Sequence, residues 1–124
     1  MRFEISSIDN VSCLIIKGKI NVLDMIFMLQ SCEYKAAINT RKKLLMDYLD
    51  IDDTSLTAED AVGITMLGKK GLEGSGNTHI AVVVDDMDRK DIENITKAIF
   101  ADTQSKIIVT NNKQQALQAL ANTN

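Results

Sequence analysis

The chain opens on alternation. In RFEIS, residues 2–6, Phe3 and Ile5 fall on one face and polar side chains on the other, the period-two mark of a half-buried strand. Asp9-Asn10 is a turn signal, and VSCLIIKGKI, residues 11–20, follows as a more continuously apolar run. Together they predict an antiparallel hairpin. Asn21 can cap a helix running from about Val22 to Asn39. KKLLMDYL, residues 42–49, reads as a short buried strand, and Thr57 opens a second helix reaching about Lys70. THIAVVV, residues 78–84, is another buried strand. In RKDIENITKAIFADT, residues 89–103, Ile92, Ile95 and Ile99 recur at helical spacing with Phe100 beside them. KIIVT, residues 106–110, is a last strand, and NKQQALQALAN, residues 112–122, closes the chain as a helix with Ala116, Leu117 and Leu120 inward.

The predicted order is therefore ββαβαβαβα. Alternating strands and helices after a hairpin imply parallel strands joined by right-handed crossovers. The later strands are apolar throughout, as expected where helices cover a sheet. The fold class is α/β: a small mixed sheet of four to five strands flanked by about four helices. With 124 residues, positions 1–124 form one domain.

Composition narrows the function classes. A net charge of −3 and a pI near 5.1 argue against nucleic acid, which needs clustered cations. No apolar run is long enough to span a bilayer. MRFEISSIDN lacks the apolar block of a signal peptide, so the expected location is the cytoplasm. Cys13 and Cys32 match neither C-x-x-C nor a zinc pattern and read as buried free thiols. The glycine-rich KKGLEGSGN, residues 69–77, follows a helix and precedes a strand. A phosphate cradle has the reverse placement, so this loop reads as a helix cap and connection. His79 has no nucleophile paired to it in sequence and reads as structural. No metal and no cofactor are expected.

The densest polar stretch is DIDDTSLTAED, residues 50–60. A calcium loop starting at Asp50 needs Gly sixth and Glu twelfth, where this chain has Ser55 and Ala61. Asp50-Ile51-Asp52-Asp53-Thr54 matches the D-x-D-x-T pattern, which resembles the nucleophile motif of haloacid-dehalogenase-type phosphatases. Val84-Asp85-Asp86 resembles their magnesium-holding acids. The two lie too close together and too far into the chain for that family, which leaves a magnesium-dependent phosphatase as the weakest reading. The simplest account is a helix start, with Thr57 as N-cap and Asp60 three residues on.

The whole architecture resembles STAS domains, the superfamily of SpoIIAA-like anti-sigma-factor antagonists, including its divergent SEC14-like branch. LLMD, residues 44–47, is similar to that family's third-strand pattern. Asp53-Thr54-Ser55-Leu56 lies where the family has its Asp-Ser-Ser-Gly turn, with Leu56 replacing the glycine. KIIVTNNKQQALQAL, residues 106–120, is similar to its closing strand and helix. The resemblance implies a non-enzymatic regulatory module switched by phosphorylation at Ser55. A protein partner would dock at Asp53, Thr54, Ser55, Leu56 and Thr57. That partner would be a kinase-like anti-sigma factor or a related regulator.

One helix stands apart. From Val22 to Leu29 only Asp24 is polar. Val22, Met25, Ile26, Leu29, Cys32 and Ala36 make one apolar stripe, and Leu23, Phe27 and Met28 extend beyond it. Either the helix is buried on two sides, or Leu23, Phe27 and Met28 form an apolar surface. The second case makes the chain a carrier of a small apolar ligand or lipid, with peripheral membrane contact.

Overall fold

The computed structural model describes residues 1–54, 57–73, 77–103 and 105–122, and of Asp53 and Thr54 the backbone alone. Its elements are β1 (Arg2–Ile8), β2 (Val11–Ile20), α1 (Val22–Leu29), α2 (Cys32–Arg41), β3 (Lys43–Thr54), α3 (Ala58–Gly71), β4 (His79–Val83), α4 (Asp86–Phe100), β5 (Lys106–Thr110) and α5 (Lys113–Ala121). The five strands lie in chain order, β1-β2-β3-β4-β5. β1 is antiparallel to β2, and every later pair is parallel. The α/β architecture expected from the sequence is present, with five strands and five helices.

The hairpin forms as Asp9-Asn10 predicts. Both residues take positive φ, 48° and 68°, and Ile8 pairs directly with Val11. That is the two-residue turn whose twist matches the strands, and Asn and Asp tolerate it better than branched residues.

The expected single helix over 22–39 is instead two. Ser31 sits in extended conformation, φ −71° and ψ 152°. Its hydroxyl donates to the Met28 carbonyl at 2.7 Å and accepts from the Tyr34 N–H at 3.2 Å. The side chain thus ends α1 and caps α2 at once, a local competition with backbone hydrogen bonding that serine performs well. Because the axis breaks there, the stripe drawn through Cys32 and Ala36 does not continue inward. Both are exposed, so of the two cysteines only Cys13 is the buried thiol expected. Lys42, at φ 60°, ends α2 in the left-handed conformation.

β3 is also longer than the expected 42–49 segment. β4 pairs with it only as far as Asp47, opposite Val83. β2 continues alongside as far as Ile20 opposite Thr54, with register shifts between Ile15 and Lys17 and again between Gly18 and Ile20. Gly18 has φ +84° at this irregularity, the left-handed region that glycine enters without strain. The polar residues from Asp50 onward therefore extend a strand ribbon beyond the rest of the sheet.

Two cores flank the sheet. On one face Leu14, Ile16, Leu44, Met46, Ile80, Val82 and Val109 meet α1, α2, the end of α3 and α4 through Met25, Met28, Tyr34, Ile38, Leu72 and Phe100. On the other, Val11, Cys13, Leu45, Ala81 and Val83 meet only Ala116, Leu117 and Leu120 of α5. Two buried polar contacts join these layers. Ser12 Oγ donates to the Ala37 carbonyl at 3.0 Å, holding α2 to β2. Asp47 accepts from the Leu49 N–H at 2.9 Å and faces Lys113 Nζ at 3.5 Å, tying the start of α5 to β3. Burial raises the pKa of the Cys13 thiol. Asp47 nearby adds to that rise, while Lys113 and a backbone hydrogen bond at Ile8 oppose it.

Ser31→Ala removes the α2 cap and should lower stability by about 1 kcal/mol in urea unfolding. The exposed Ser6→Ala should stay within about 0.5 kcal/mol of wild type. Equal effects would mean that Ser31 does not hold the break.

Candidate functional site

α3 is a 14-residue helix without one fully buried residue, although it lies over a sheet whose facing residues are apolar. Its start is well made. The Thr57 side chain accepts from the Asp60 N–H at 3.1 Å, and Asp60 accepts from the Thr57 N–H at 3.0 Å, a reciprocal capping box. Glu59 and Asp60 occupy the positive end of its dipole, and Lys69 and Lys70 the negative end. Its inner residues Ala61, Ile64 and Thr65 are only half-buried because they line a cavity.

The cavity has a volume of about 690 Å³. Its floor is the sheet face of Met46, Tyr48, Ile80, Val82 and Ile107, extended by Ile20 and Ile51 of the β2–β3 ribbon. α1 contributes Met25 and Leu29, α2 contributes Tyr34, and α4 contributes Ile92, Ile95, Thr96 and Phe100. The exposed residues of the wall are Thr57, Ala58, Asp88, Asp91 and Asn94. They place the mouth between the N-terminal halves of α3 and α4. Val84, just beyond the end of β4, also lines it. This is the carboxyl end of the parallel strands, where open α/β sheets bind ligands.

A magnitude decides what such a space can be. At about 24 cal/mol per Å³, a dry sealed void of 690 Å³ would cost about 17 kcal/mol, more than the whole stability of an ordinary domain. The space is therefore filled, by solvent entering at the mouth or by a ligand. Water needs several polar partners at each site, and most of this wall offers none.

The polar groups inside are few. Thr65 Oγ1 already donates to the Ala61 carbonyl at 2.7 Å, and Thr96 Oγ1 to the Glu93 carbonyl at 3.0 Å. Two phenols remain. Tyr34 is 4% exposed, and burial pushes its pKa up to about 12. Tyr48 points from β3 to the same face as Leu44 and Met46. It is half-buried by area, yet burial raises its pKa strongly, with a smaller contribution from Tyr34. It lines the cavity floor.

The sequence-derived site residues fall differently. Ser55 and Leu56 lie outside the described residues, and Asp53 and Thr54 contribute the backbone end of β3. Thr57 is the exposed N-cap at the cavity mouth. Leu23 and Phe27 are 60% and 62% exposed on the outside of α1, whereas Met28 is 1% exposed in the core. Met28 therefore does not belong to the apolar surface drawn from the sequence, because the helical turn carries it to the inner side. Asp85 occupies the N-cap position of α4 in extended conformation without a side-chain capping hydrogen bond, and Asp86 accepts a hydrogen bond from Asn111 Nδ2. Among the described residues no three His, Cys, Asp or Glu gather as a metal site, and no helix is long and apolar enough to cross a membrane. Thr78 Oγ1 and His79 Nδ1 are buried without a hydrogen-bond partner among the described residues.

The cavity and its tyrosines were missed from sequence. Tyr48 entered there only as part of the strand at 42–49. The usable signal was its phase: Leu44, Met46 and Tyr48 alternate onto one face, so the phenol had to point inward.

No family model and no curated protein matches this chain. The chain is an α/β domain with an antiparallel hairpin at one edge of a parallel sheet and four of its helices on one face. Within that class its fold is SpoIIAA-like. It is similar to the crystal structure of an uncharacterized protein from the DUF3478 family with a SpoIIAA-like fold from Shewanella loihica PV-4. The two share 20% identity, with 96% of this chain and 92% of that chain covered, at a TM-score of 0.55.

The tyrosine geometry is directly measurable, because Tyr34 and Tyr48 are the only tyrosines and there is no tryptophan. Tyrosinate absorbance should show both phenols ionising well above the ordinary value of about 10. Raised phenol pKa values mean that the unfolded chain loses these protons first. The phenols' contribution to stability should thus be constant below about pH 10 and fall as pH rises from there toward 12 and beyond. A phenol titrating near 10 in the native protein would place it outside the enclosed cavity.

Proposed function

We propose that this chain is a non-enzymatic binding module that encloses a small apolar ligand between its sheet and α1, α3 and α4. The observation that carries this reading is the 690 Å³ cavity with an almost wholly apolar wall and a polar mouth. That volume lies within the range of small-molecule sites. α1 serves two sides at once: Met25 and Leu29 line the cavity, while Leu23 and Phe27 face outward. An exposed apolar surface on the roof of an apolar cavity suits a carrier that meets an apolar phase, such as a lipid surface.

Native mass spectrometry of the purified chain should show a co-purified apolar molecule, or uptake of Nile red after its removal. Ala61→Phe places a ring in the cavity from α3. It should reduce Nile red uptake at least tenfold while leaving thermal stability equal or higher. Wild type without a ligand and without Nile red uptake would end this reading.

A second reading is favoured by the exposed, capped start of α3, two positions beyond Ser55. In it the segment from Asp53 to Thr57 docks a protein partner, a kinase-like anti-sigma factor or related regulator, and phosphorylation of Ser55 switches that docking. Phosphate would add about −1.5 to −2 charges close in sequence to Asp52, Asp53, Glu59 and Asp60. That would change the local potential more than the fold, and so the docking of a charged partner. Pull-downs with wild type, Ser55→Ala and Ser55→Asp should then retain different partners; identical sets from all three would dismiss the switch.

A further inference from the structure

We propose, on the reading that the cavity holds an apolar ligand, that this ligand is an uncharged amphiphile whose carbonyl or ether oxygen accepts hydrogen bonds from the Tyr34 and Tyr48 hydroxyls. Both phenols line the cavity, and Tyr34 is almost completely withdrawn from solvent. They stand on different elements, α2 and β3, yet lie close enough to interact electrostatically. Among the described residues, neither hydroxyl has a hydrogen-bond partner. The other interior hydroxyls are taken, Thr65 and Thr96 by carbonyls of their own helices. The remaining polar wall residues, Thr57, Asp88, Asp91 and Asn94, are at the mouth. Two donors thus line one mainly apolar interior, and among the described residues no acceptor is bonded to either. Both hydroxyls face the cavity space, where an oxygen acceptor on a ligand can take the place of water.

The charge of the ligand follows from the same wall. Among the described residues it contains Asp88 and Asp91 and no Lys, Arg or His. A carboxylate or phosphate carried into it would lose its hydration and meet no cation, and it would pass two acidic side chains on entry. A carbonyl of an ester, ketone or quinone loses far less water and accepts from both phenols. Burial keeps those phenols protonated throughout the neutral range, so they remain donors. The hydrocarbon part of such a molecule would then run from the tyrosines under α3 and α4, along Ile64, Ile92, Ile95 and Phe100.

The full chain, stripped of bound molecules and loaded with Nile red, tests this by displacement. Methyl laurate should displace the dye at roughly tenfold lower concentration than tetradecane of equal chain length, and at lower concentration than laurate anion. Tyr34→Phe and Tyr48→Phe keep the rings and remove only the hydroxyls. Each should weaken methyl laurate by roughly threefold to tenfold, the size of one hydrogen bond, and leave tetradecane unchanged. The near-ultraviolet tyrosine absorbance of wild type should shift to the red with methyl laurate and not with tetradecane. Equal displacement by ester and alkane, stronger displacement by laurate, or phenylalanine variants that bind the ester as wild type does would each overturn the proposal. In those three cases the cavity-ligand reading survives. Failure of Nile red and of every competitor to bind would overturn both.

Discussion

Five strands taken in chain order, each parallel step right-handed, put every connecting helix on the same face of the sheet. The rest of the structure depends on that constraint. α1 through α4 share one face, and only α5, which follows the last strand and connects to nothing further, can cover the other. On the α5 face the fit is close: Ala81 and Ala116 are small and fully buried, and Leu120 fills the space beside them. On the other face α3 packs against α1 and α4 more than onto the sheet. Its inner side chains are left half-buried above an open space rather than embedded in a core.

The same constraint explains why the polar stretch after Asp47 stands where it does. β3 outruns β4 and pairs onward with β2 alone, across two irregularities, one of them at Gly18. The ribbon carries Ile20 and Ile51 past the end of the sheet, where they extend the cavity floor. It also brings Thr57 to the mouth, so the segment that the resemblance to antagonists singles out and the entrance to the cavity are neighbours. A ligand-binding reading and a partner-docking reading thus concern the same end of the molecule.

Charge is distributed to match. The acids of α3 and α4 gather near the mouth, the interior has no cation among the described residues, and the donors lining it are neutral phenols. The charged pair that is largely enclosed, Asp47 with Lys113, lies on the opposite face, where it also secures the start of α5. Such a pair adds little net stability but costs several kcal/mol when one partner is removed. It therefore fixes where α5 begins more than how firmly the domain folds.

Much of the fold was legible because its causes are local. The Asp9-Asn10 turn, the alternation of Phe3 and Ile5, the capping of α3 by Thr57, and the isoleucine spacing of α4 each act within a few residues. The STAS resemblance read from LLMD and the closing KIIVTNNKQQALQAL pattern agrees with the SpoIIAA-like fold. Where the reading departed from the structure, a competing local bond or a longer-range contact decided. Ser31 chose to cap a new helix rather than continue an old one, which turned Cys32 and Ala36 outward. β2 extended β3 beyond the point where the apolar pattern stops. Met28 went inward while Leu23 and Phe27 stayed out, because the side of α1 that meets the sheet depends on where the sheet lies. The sequence by itself determined most of the elements, their order and the class of sheet, since periodicity and capping are properties of neighbouring residues. Only the tertiary structure decided that α3 stands off the sheet and that Tyr34 and Tyr48 line the space beneath it. An enclosed volume belongs to surfaces brought together from the whole chain, and no short stretch of sequence encodes it.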